Sequence, residues 1–410
     1  MSQNYLPQVA VIGGGMITHD QILPSLFQLQ RLGQIGEITV CASRPETIRT
    51  LREAPMWQRA FPGLTFRGLP ESGPQQPELY KKVIADLPPR QIVVMALPDQ
   101  MHHEAIMTAL KHDQHVLAVK PLVLKHEEGI EIDREAKLRG LTVGIEYHKR
   151  FDDRSLIARQ RYRAGQFGDF RLGTACLLEK WYYRHSNFQN WCTSENSDAF
   201  TYIGCHYVDL VHFITGLLPT SVSVYGIRDH YPNGNEGFLW TDARVIWDNG
   251  ACLNVQNAIG FPDEGPGTNT QGIVMYCRGK ENGAWLVHSD QYRGIQYCYT
   301  ERPSGAGATT YAEPSTDYFQ YIDLGGPGLT PVGYGYRSIA FIIGKCKEVE
   351  AADPAKRGQL LNEIDAAGVM ATPVNSAYNE LVIEAGRLSI LNNGREAVIE
   401  YGEKPHVRLT

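Results

Sequence analysis

The segment HVLAVKPLVL, His115–Leu124, has the apolar pattern of a buried strand and stops abruptly on a Lys-Pro step. In open α/β sheets ligands gather outside the carboxyl ends of the strands, so Lys120 stands as a candidate catalytic ammonium. An isolated Lys-Pro also reads as a surface lysine followed by a proline that ends pairing. Residues 198–216 hold a second chemical set. Asp198 can cap a helix and Gly216 can end it, and between them His206, Asp209 and Phe213 recur at helical spacing. Asp209, three residues on, can orient or charge-stabilise the His206 imidazole, whereas His212 reads as packing. Tyr202, one turn before His206, offers a phenol for hydrogen bonding or proton transfer, or an aromatic packing ring. Upstream, Trp181, Tyr182, Tyr183, Arg184 and Trp191 crowd one segment. Aromatic faces beside an Arg suit the alternating apolar faces and hydroxyl edges of a sugar ring, and equally suit a buried junction.

These groups need a scaffold. VAVIGGGMI at 9–17 runs an apolar strand into a glycine cluster, and helical spacing follows from Leu23 to Leu32. Gly13 can make the tight turn and Gly15 can let a pyrophosphate approach the backbone. Met16 and Ile17 complete the turn, while Thr18 replaces the third glycine of G-x-G-x-x-G. EITVCAS at 37–43 is a second strand that should end near an adenosine ribose. An acidic residue there favours NAD, whereas this chain offers Ala42, Ser43 and Arg44. Arg44 can pair with a 2′-phosphate, stack on adenine or face solvent, so NAD and NADP both stay open.

Further strands near 92–97, 115–119 and 142–147 alternate with helical stretches at about 102–113 and 126–139, which implies a parallel sheet with right-handed crossovers. Proline-rich 70–89 reads as an irregular peripheral connection. After a helix near 154–164, strands are expected at 169–180, 221–229, 240–247, 251–259, 271–277 and 284–288, most economically as an open, mainly antiparallel sheet. Such a sheet leaves a face or edge for another subunit to cover. Ser338–Asn392 is mostly helical and is expected to pack back toward the first domain. The expected fold is α/β: a Rossmann domain over 1–148 and an α+β domain over 149–410.

Composition narrows the partners. With 410 residues, 43% of them hydrophobic, the chain can fill two cores. A net charge of −6 without a basic block argues against nucleic acid or an anionic membrane. No apolar run approaches the roughly 18 residues of a membrane span, and the first strand begins near Gln8, which leads us to expect a cytoplasmic protein. The eight cysteines (Cys41, Cys176, Cys192, Cys205, Cys252, Cys277, Cys298 and Cys346) lack zinc spacing, so reduced packing cysteines and no metal are expected.

Several segments in one order carry a family resemblance. ALPDQMHHEAIMTALKHDQHVLAVKP at 96–121 joins a strand, a turn, His102 at a helix start, a helix and the Lys-Pro strand. It resembles the T-P-N-x-x-H, helix, G-x-H-V-x-x-E-K-P run of the Gfo/Idh/MocA family of nicotinamide-dependent sugar and cyclitol oxidoreductases. GIEYHKRFDD at 144–153 and AGQFGDFRLG at 164–173 resemble the segments that leave that family's first domain and begin its second. GCHYVDLVHFITG at 204–216 resembles its G-x-H-x-x-D helix, and WDNGACLNVQN at 247–257 its antiparallel strand pair.

The resemblance implies a dinucleotide, NAD or NADP, held by Gly13, Gly15, Met16, Ile17, Ser43, Arg44, Leu97, Pro98, His102 and Lys120. It implies catalysis by Lys120 and His206 with Tyr202 and Asp209, and a substrate met by Tyr147, Arg150, Trp181, Tyr183, Trp191 and His206. Two positions depart from the pattern. Val119 stands where the family usually has Glu before Lys-Pro, and Tyr202 where many dehydrogenases have Asp. The implied reaction is oxidation of a secondary alcohol on a sugar, glycoside or cyclitol, with the hydroxyl between Lys120 and His206. The rival is a redox-neutral glycosidase that oxidises, eliminates, hydrates and re-reduces. A third reading, a non-catalytic sugar sensor, has no need of the Lys–His pair. A homo-oligomer, dimer or tetramer, is expected through the C-terminal sheet.

Overall fold

Six short strands, Val9–Ile12 (β1), Ile38–Cys41 (β2), Arg67–Leu69 (β3), Ile92–Met95 (β4), His115–Val119 (β5) and Val143–Glu146 (β6), pair in parallel in the order β3-β2-β1-β4-β5-β6. The runs VAVI and IVVM of β1 and β4 are buried at every position, as a sheet covered on both faces requires. The strand order reverses between β1 and β4, which is where a doubly wound sheet opens its ligand crevice. In this computed structural model the described residues are 5–265, 267, 269–280, 282–289, 297–300, 309–312 and 316–410.

The helices between these strands are Leu23–Arg31 (α1), Pro45–Arg52 (α2), Pro55–Ala60 (α3), Leu79–Ala85 (α4), His102–Lys111 (α5) and His126–Arg139 (α6). Pro45 and Pro55 start their helices, where a missing N–H leaves no bond unmade. The proline-rich stretch at 70–89 is not wholly irregular, because α4 lies inside it and buries Tyr80, Val83 and Ile84.

Asp152 caps Asp153–Arg163 (α7), accepting from the Arg154 amide. Beyond it come Phe170–Lys180 (β7), Phe188–Trp191 (α8), Cys205–Thr215 (α9), Pro219–His230 (β8), Glu236–Trp247 (β9), Cys252–Phe261 (β10), Asn269–Cys277 (β11) and Ala284–Ser289 (β12). Two hairpins follow, Tyr297–Thr300 (β13) with Thr309–Ala312 (β14) and Gln320–Ile322 (β15) with Thr330–Val332 (β16). The chain ends with Tyr334–Ala351 (α10), Arg357–Ala367 (α11), Ala377–Ile390 (α12), Ala397–Glu400 (β17) and His406–Leu409 (β18).

The second sheet runs β12-β11-β7-β10-β9-β8-β17-β18 and is antiparallel throughout except for the parallel pair β7–β10. The molecule is thus an amino-terminal Rossmann sheet followed by a larger, mainly antiparallel one. Two compact units form, Met1–Phe151 with Tyr321–Glu380, and Asp152–Gln320 with Leu381–Thr410. Residues 321–380, assigned from sequence to the second domain, therefore fold with the first, where α10 packs on β5, β6 and α1.

Candidate active site

In the first unit the turn after β1 is built around Gly13. Its φ is +113°, and a Cβ there would stand 1.9 Å from the Ala96 carbonyl oxygen, so no side chain fits where β1 passes the end of β4. Its amide donates to the Cys41 carbonyl at 2.8 Å. Gly15 is different. A Cβ there meets nothing within 4 Å, so the backbone faces open space at the start of the helix.

Thr18, at the position of the third glycine, is buried and donates its hydroxyl to the Gly13 carbonyl at 2.8 Å. The hydroxyl closes the turn that a glycine would leave to packing. Met16 and Ile17, both half-buried, open the helix, and a π-helical turn, Thr18–Ile22, leads into α1. Pro24, in the first turn of α1, has no N–H to give, and the wider turn absorbs the missing bond. An open backbone at Gly15 with helix amides behind it fits a dinucleotide pyrophosphate. Ser43 is half-buried, Arg44 is exposed, and Leu97 and Pro98 follow β4 half-buried.

Lys120 ends β5 on the same carboxyl edge and is 9% exposed. The segment around it is fastened by His102. That imidazole is fully buried, with Nε2 2.9 Å from the Leu97 carbonyl oxygen and Nδ1 2.9 and 3.1 Å from those of Pro121 and Leu122. Both ring nitrogens are spent on backbone. His102, expected as a cofactor contact, ties the loop after β4 to the Lys-Pro segment.

Val119, where the family pattern has Glu, registers directly with Glu146 on β6. This buried carboxylate accepts from Gln21 Nε2 and Ser338 Oγ, each at 2.7 Å, and lies 3.1 Å from His148 Nδ1. Sequence reading passed over Glu146, although its place at a strand end beside Val119 was the available signal. Tyr147 and Arg150, expected to meet substrate, are both buried. Arg150 donates to Asn375 Oδ1 and Tyr378 Oη and lies over the Tyr147 ring.

In the second unit Asp198 accepts from the Thr201 amide and hydroxyl and pairs with Arg387 at 3.0 Å, fixing the start of the helical run. A π-helical turn, Phe200–Gly204, precedes α9, and Gly216 ends α9 in the left-handed region. His206 and Asp209 are buried on α9 at the spacing that puts both on one face. His212 Nδ1 is 2.8 Å from the Leu217 carbonyl oxygen and closes the helix end.

Tyr202 sets its ring edge-on to Phe188 and Trp191, with centroids 4.7 and 5.6 Å away. Tyr183 joins this group by packing edge-on to Phe188 and stacking on Tyr182. Burial pushes the Tyr183 phenol well above its ordinary range, and the charge of Glu179 adds to it. Trp181 stands apart from the cluster. The buried Arg184 guanidinium lies 3.8 Å from its ring centroid, donates to Ile259 O and pairs with Asp229, so Trp181 covers a structural arginine.

The cysteines with described side chains are free, and that of Cys298 lies outside the described residues. Among the described residues no group of three or more His, Cys, Asp or Glu gathers as a metal site, and no helix is long and apolar enough to cross a membrane.

Residues 8–147 match the model of the Gfo/Idh/MocA oxidoreductases, described as an oxidoreductase family with an NAD-binding Rossmann fold. Among characterised relatives, the 2,7-anhydro-N-acetylneuraminate hydratase of Escherichia coli is 25% identical over 33% of this chain and 36% of its own. The scyllo-inositol 2-dehydrogenase (NADP(+)) IolW of Bacillus subtilis is 23% identical over 33% and 37%. The chain thus matches these curated relatives over about a third of their length. Two solved structures share the fold across nearly the whole chain. GenD2 from gentamicin A biosynthesis, in complex with NAD, has a TM-score of 0.67 at 15% identity and covers 98% of both chains. The Lactobacillus casei scyllo-inositol dehydrogenase has a TM-score of 0.61 at 13% identity, covering 96% of this chain and 99% of its own.

Proposed function

We propose that the chain, whose residues 8–147 match the model of the Gfo/Idh/MocA oxidoreductases, is an NAD(P)-dependent oxidoreductase acting on a secondary alcohol of a sugar, glycoside or cyclitol. The observation that carries this reading lies in one sheet: the turn open at Gly15 follows β1, and Lys120 ends β5 on the same edge, with β4 between them. The nicotinamide, when bound, supplies the hydride acceptor or donor. Gly13 and Gly15 with the following amides hold the pyrophosphate, and Leu97 and Pro98 border the dinucleotide. Lys120 and His206 take up or return the hydroxyl proton, with Asp209 orienting His206. Tyr183, Trp191 and Tyr202 offer aromatic faces to the ring substrate. The protein works in the cytoplasm as a homo-oligomer built on its second sheet.

A redox-neutral glycosidase is the second reading. One specific observation favours it: a relative matched over a third of the chain is named as a hydratase rather than a dehydrogenase. The deciding experiment starts by denaturing the purified protein and identifying the dinucleotide released. Sugars, glycosides and cyclitols are then screened for nicotinamide absorbance and for aglycone release. Net oxidoreduction predicts an absorbance change one-for-one with product. Sustained aglycone release with no net absorbance change overturns it in favour of the glycosidase, and neither signal with any substrate overturns both.

A further inference from the structure

We infer that His148, held by the buried Glu146, is a proton relay for Lys120; the inference rests on the oxidoreductase reading above. β5 and β6 are neighbouring parallel strands whose last paired residues are Val119 and Glu146. Lys120 follows Val119 by one residue and His148 follows Glu146 by two, so both stand past the carboxyl ends of adjoining strands. Neighbouring strands lie about 4.8 Å apart, and an amine and an imidazole thus share the edge on which such sheets hold their ligands.

Oxidation of a secondary alcohol leaves a proton to be moved. The carbon's hydrogen departs as hydride to the nicotinamide, a carbon–oxygen double bond forms, and the hydroxyl proton passes to the unprotonated Lys120 amine. The ammonium so formed must return that proton to water before the next turnover. Imidazole, which exchanges protons near neutral pH, is the side chain suited to carry it.

Glu146 prepares His148 for this task. Gln21 Nε2 and Ser338 Oγ both donate to Oε1 of the carboxylate, each at 2.7 Å, and Oε2 is 3.1 Å from His148 Nδ1. The carboxylate is thereby oriented from the turn after β1 and from α10, while its second oxygen keeps the imidazole hydrogen on Nδ1. Nε2 is then the nitrogen that receives a proton, and Glu146 stabilises the imidazolium until Nε2 releases it. The ring also stacks on Tyr334, centroids 5.5 Å apart, and the Lys149 ammonium lies 5.9 Å from the same Tyr334 ring. The His148 side chain is 13% exposed, which gives the relay an outlet to water, whereas the Glu146 side chain is 3% exposed. His102, on the same edge, has no such role, because both its nitrogens face backbone carbonyls.

The full chain is compared with Glu146→Gln, His148→Phe and His148→Ala. Nitrogen-15 NMR of histidine-labelled protein, with His148 assigned by the signal lost in His148→Phe, should place the hydrogen on Nδ1 in the unaltered chain. In Glu146→Gln it should move to Nε2, because the amide donates where the carboxylate accepted. With any sugar, glycoside or cyclitol that is turned over, His148→Phe, which keeps a ring against Tyr334, should lower kcat by about tenfold or more. KM and dinucleotide affinity should change by no more than about twofold. Glu146→Gln should lower kcat likewise, and imidazole in the buffer should raise the turnover of His148→Ala by about fivefold or more. A neutral His148 with its hydrogen on Nε2 in the unaltered chain overturns the relay and leaves the oxidoreductase reading standing. So does near-normal turnover in a folded His148→Phe, or a His148→Ala that imidazole does not restore. Loss of dinucleotide affinity in step with kcat also overturns the relay, because the pair would then only hold the dinucleotide turn. Absence of turnover with every compound overturns the oxidoreductase reading itself, and the relay with it.

Discussion

Lys120 and His206 are the residues on which the proposed chemistry turns, and each can be removed without touching the dinucleotide turn. Lys120→Ala and His206→Ala should each lower turnover by about a hundredfold or more, and His206→Ala should leave cofactor affinity nearly unchanged, measured by steady-state kinetics beside calorimetry. Near-normal turnover in either variant takes that residue out of the reaction. Gly15→Val tests the other half. Because a Cβ at Gly15 meets no protein atom, the variant should fold with an unchanged melting temperature and lose dinucleotide binding at least about a hundredfold, since only a ligand approaching the backbone would feel the new methyls. Unaltered affinity in the folded variant removes the pyrophosphate from this turn. At this scale the sequence was legible where a type and a spacing coincide, as in Lys-Pro after a strand or His and Asp three apart on a helix. It was silent on partners far along the chain: Arg150 donates to Asn375 and Tyr378, more than 220 residues away, and nothing local to the Arg-Phe turn announces those partners.

The elements that carry the site depend on a polar network at the opposite edge of the Rossmann sheet. His115, at the start of β5, accepts from the Thr142 amide on Nδ1, which leaves Nε2–H to donate to Glu350 on α10 at 3.3 Å. Arg90 and Arg357 pair with the same carboxylate. Burial would raise the Glu350 carboxyl, but the hydrogen bonds from His115 and Arg90 and the two guanidinium charges outweigh it and hold it at about 2, against an ordinary 4.5. Burial also pushes the His115 imidazole below its ordinary 6.5, only partly opposed by Glu350. Both shifts have one sign. A depressed native value means the unfolded chain binds more protons, so the stability these groups contribute is complete above pH 6.5 and falls as pH drops toward 2. Glu350→Gln should therefore cost about 2 kcal/mol at neutral pH and flatten the acid arm of a stability–pH curve taken by urea unfolding. Superimposable acid arms would refute the linkage. Strands and helices with strong periodicity were legible to within a few residues, α6 at 126–139 and β5 among them. α4 escaped because prolines flank it, and β17 and β18 because AVIE and HVRL are short and lack the continuous apolar run that marks VAVI and IVVM.

For the whole molecule, the family resemblance leads to the expectation that the helical tail from Ser338 packs back toward the first domain, whereas local pattern alone leaves 321–380 in the second domain, since which surface α10 covers is decided by β5, β6 and α1 far earlier in the chain. The open face of the second sheet is the remaining whole-molecule feature. Leu172 on β7 registers with Tyr276 on β11, and Tyr276 with Trp285 on β12, so these three stand side by side, and Val287 lies one step along the same face of β12. Each is about half exposed or more, and Trp285 reaches 66%, while the alternate residues Ile273, Met275 and Cys277 of β11 point into the core. A contiguous exposed apolar row on an open sheet is a surface that soluble chains usually cover, and a face whose partner is another copy of itself satisfies both at once. Trp285→Glu combined with Tyr276→Glu should bring the mass in solution down to the single-chain 45.9 kDa, read by light scattering, whereas the unaltered protein should show a multiple of it. Both positions are on the surface, so each substitution should change the intrinsic stability of the chain by no more than about 0.5 kcal/mol. The melting temperature should nevertheless become independent of protein concentration, because the mass-action stabilisation from association is lost. A variant that keeps the mass and concentration dependence of the unaltered protein would show that the apolar row is not where copies of the chain meet.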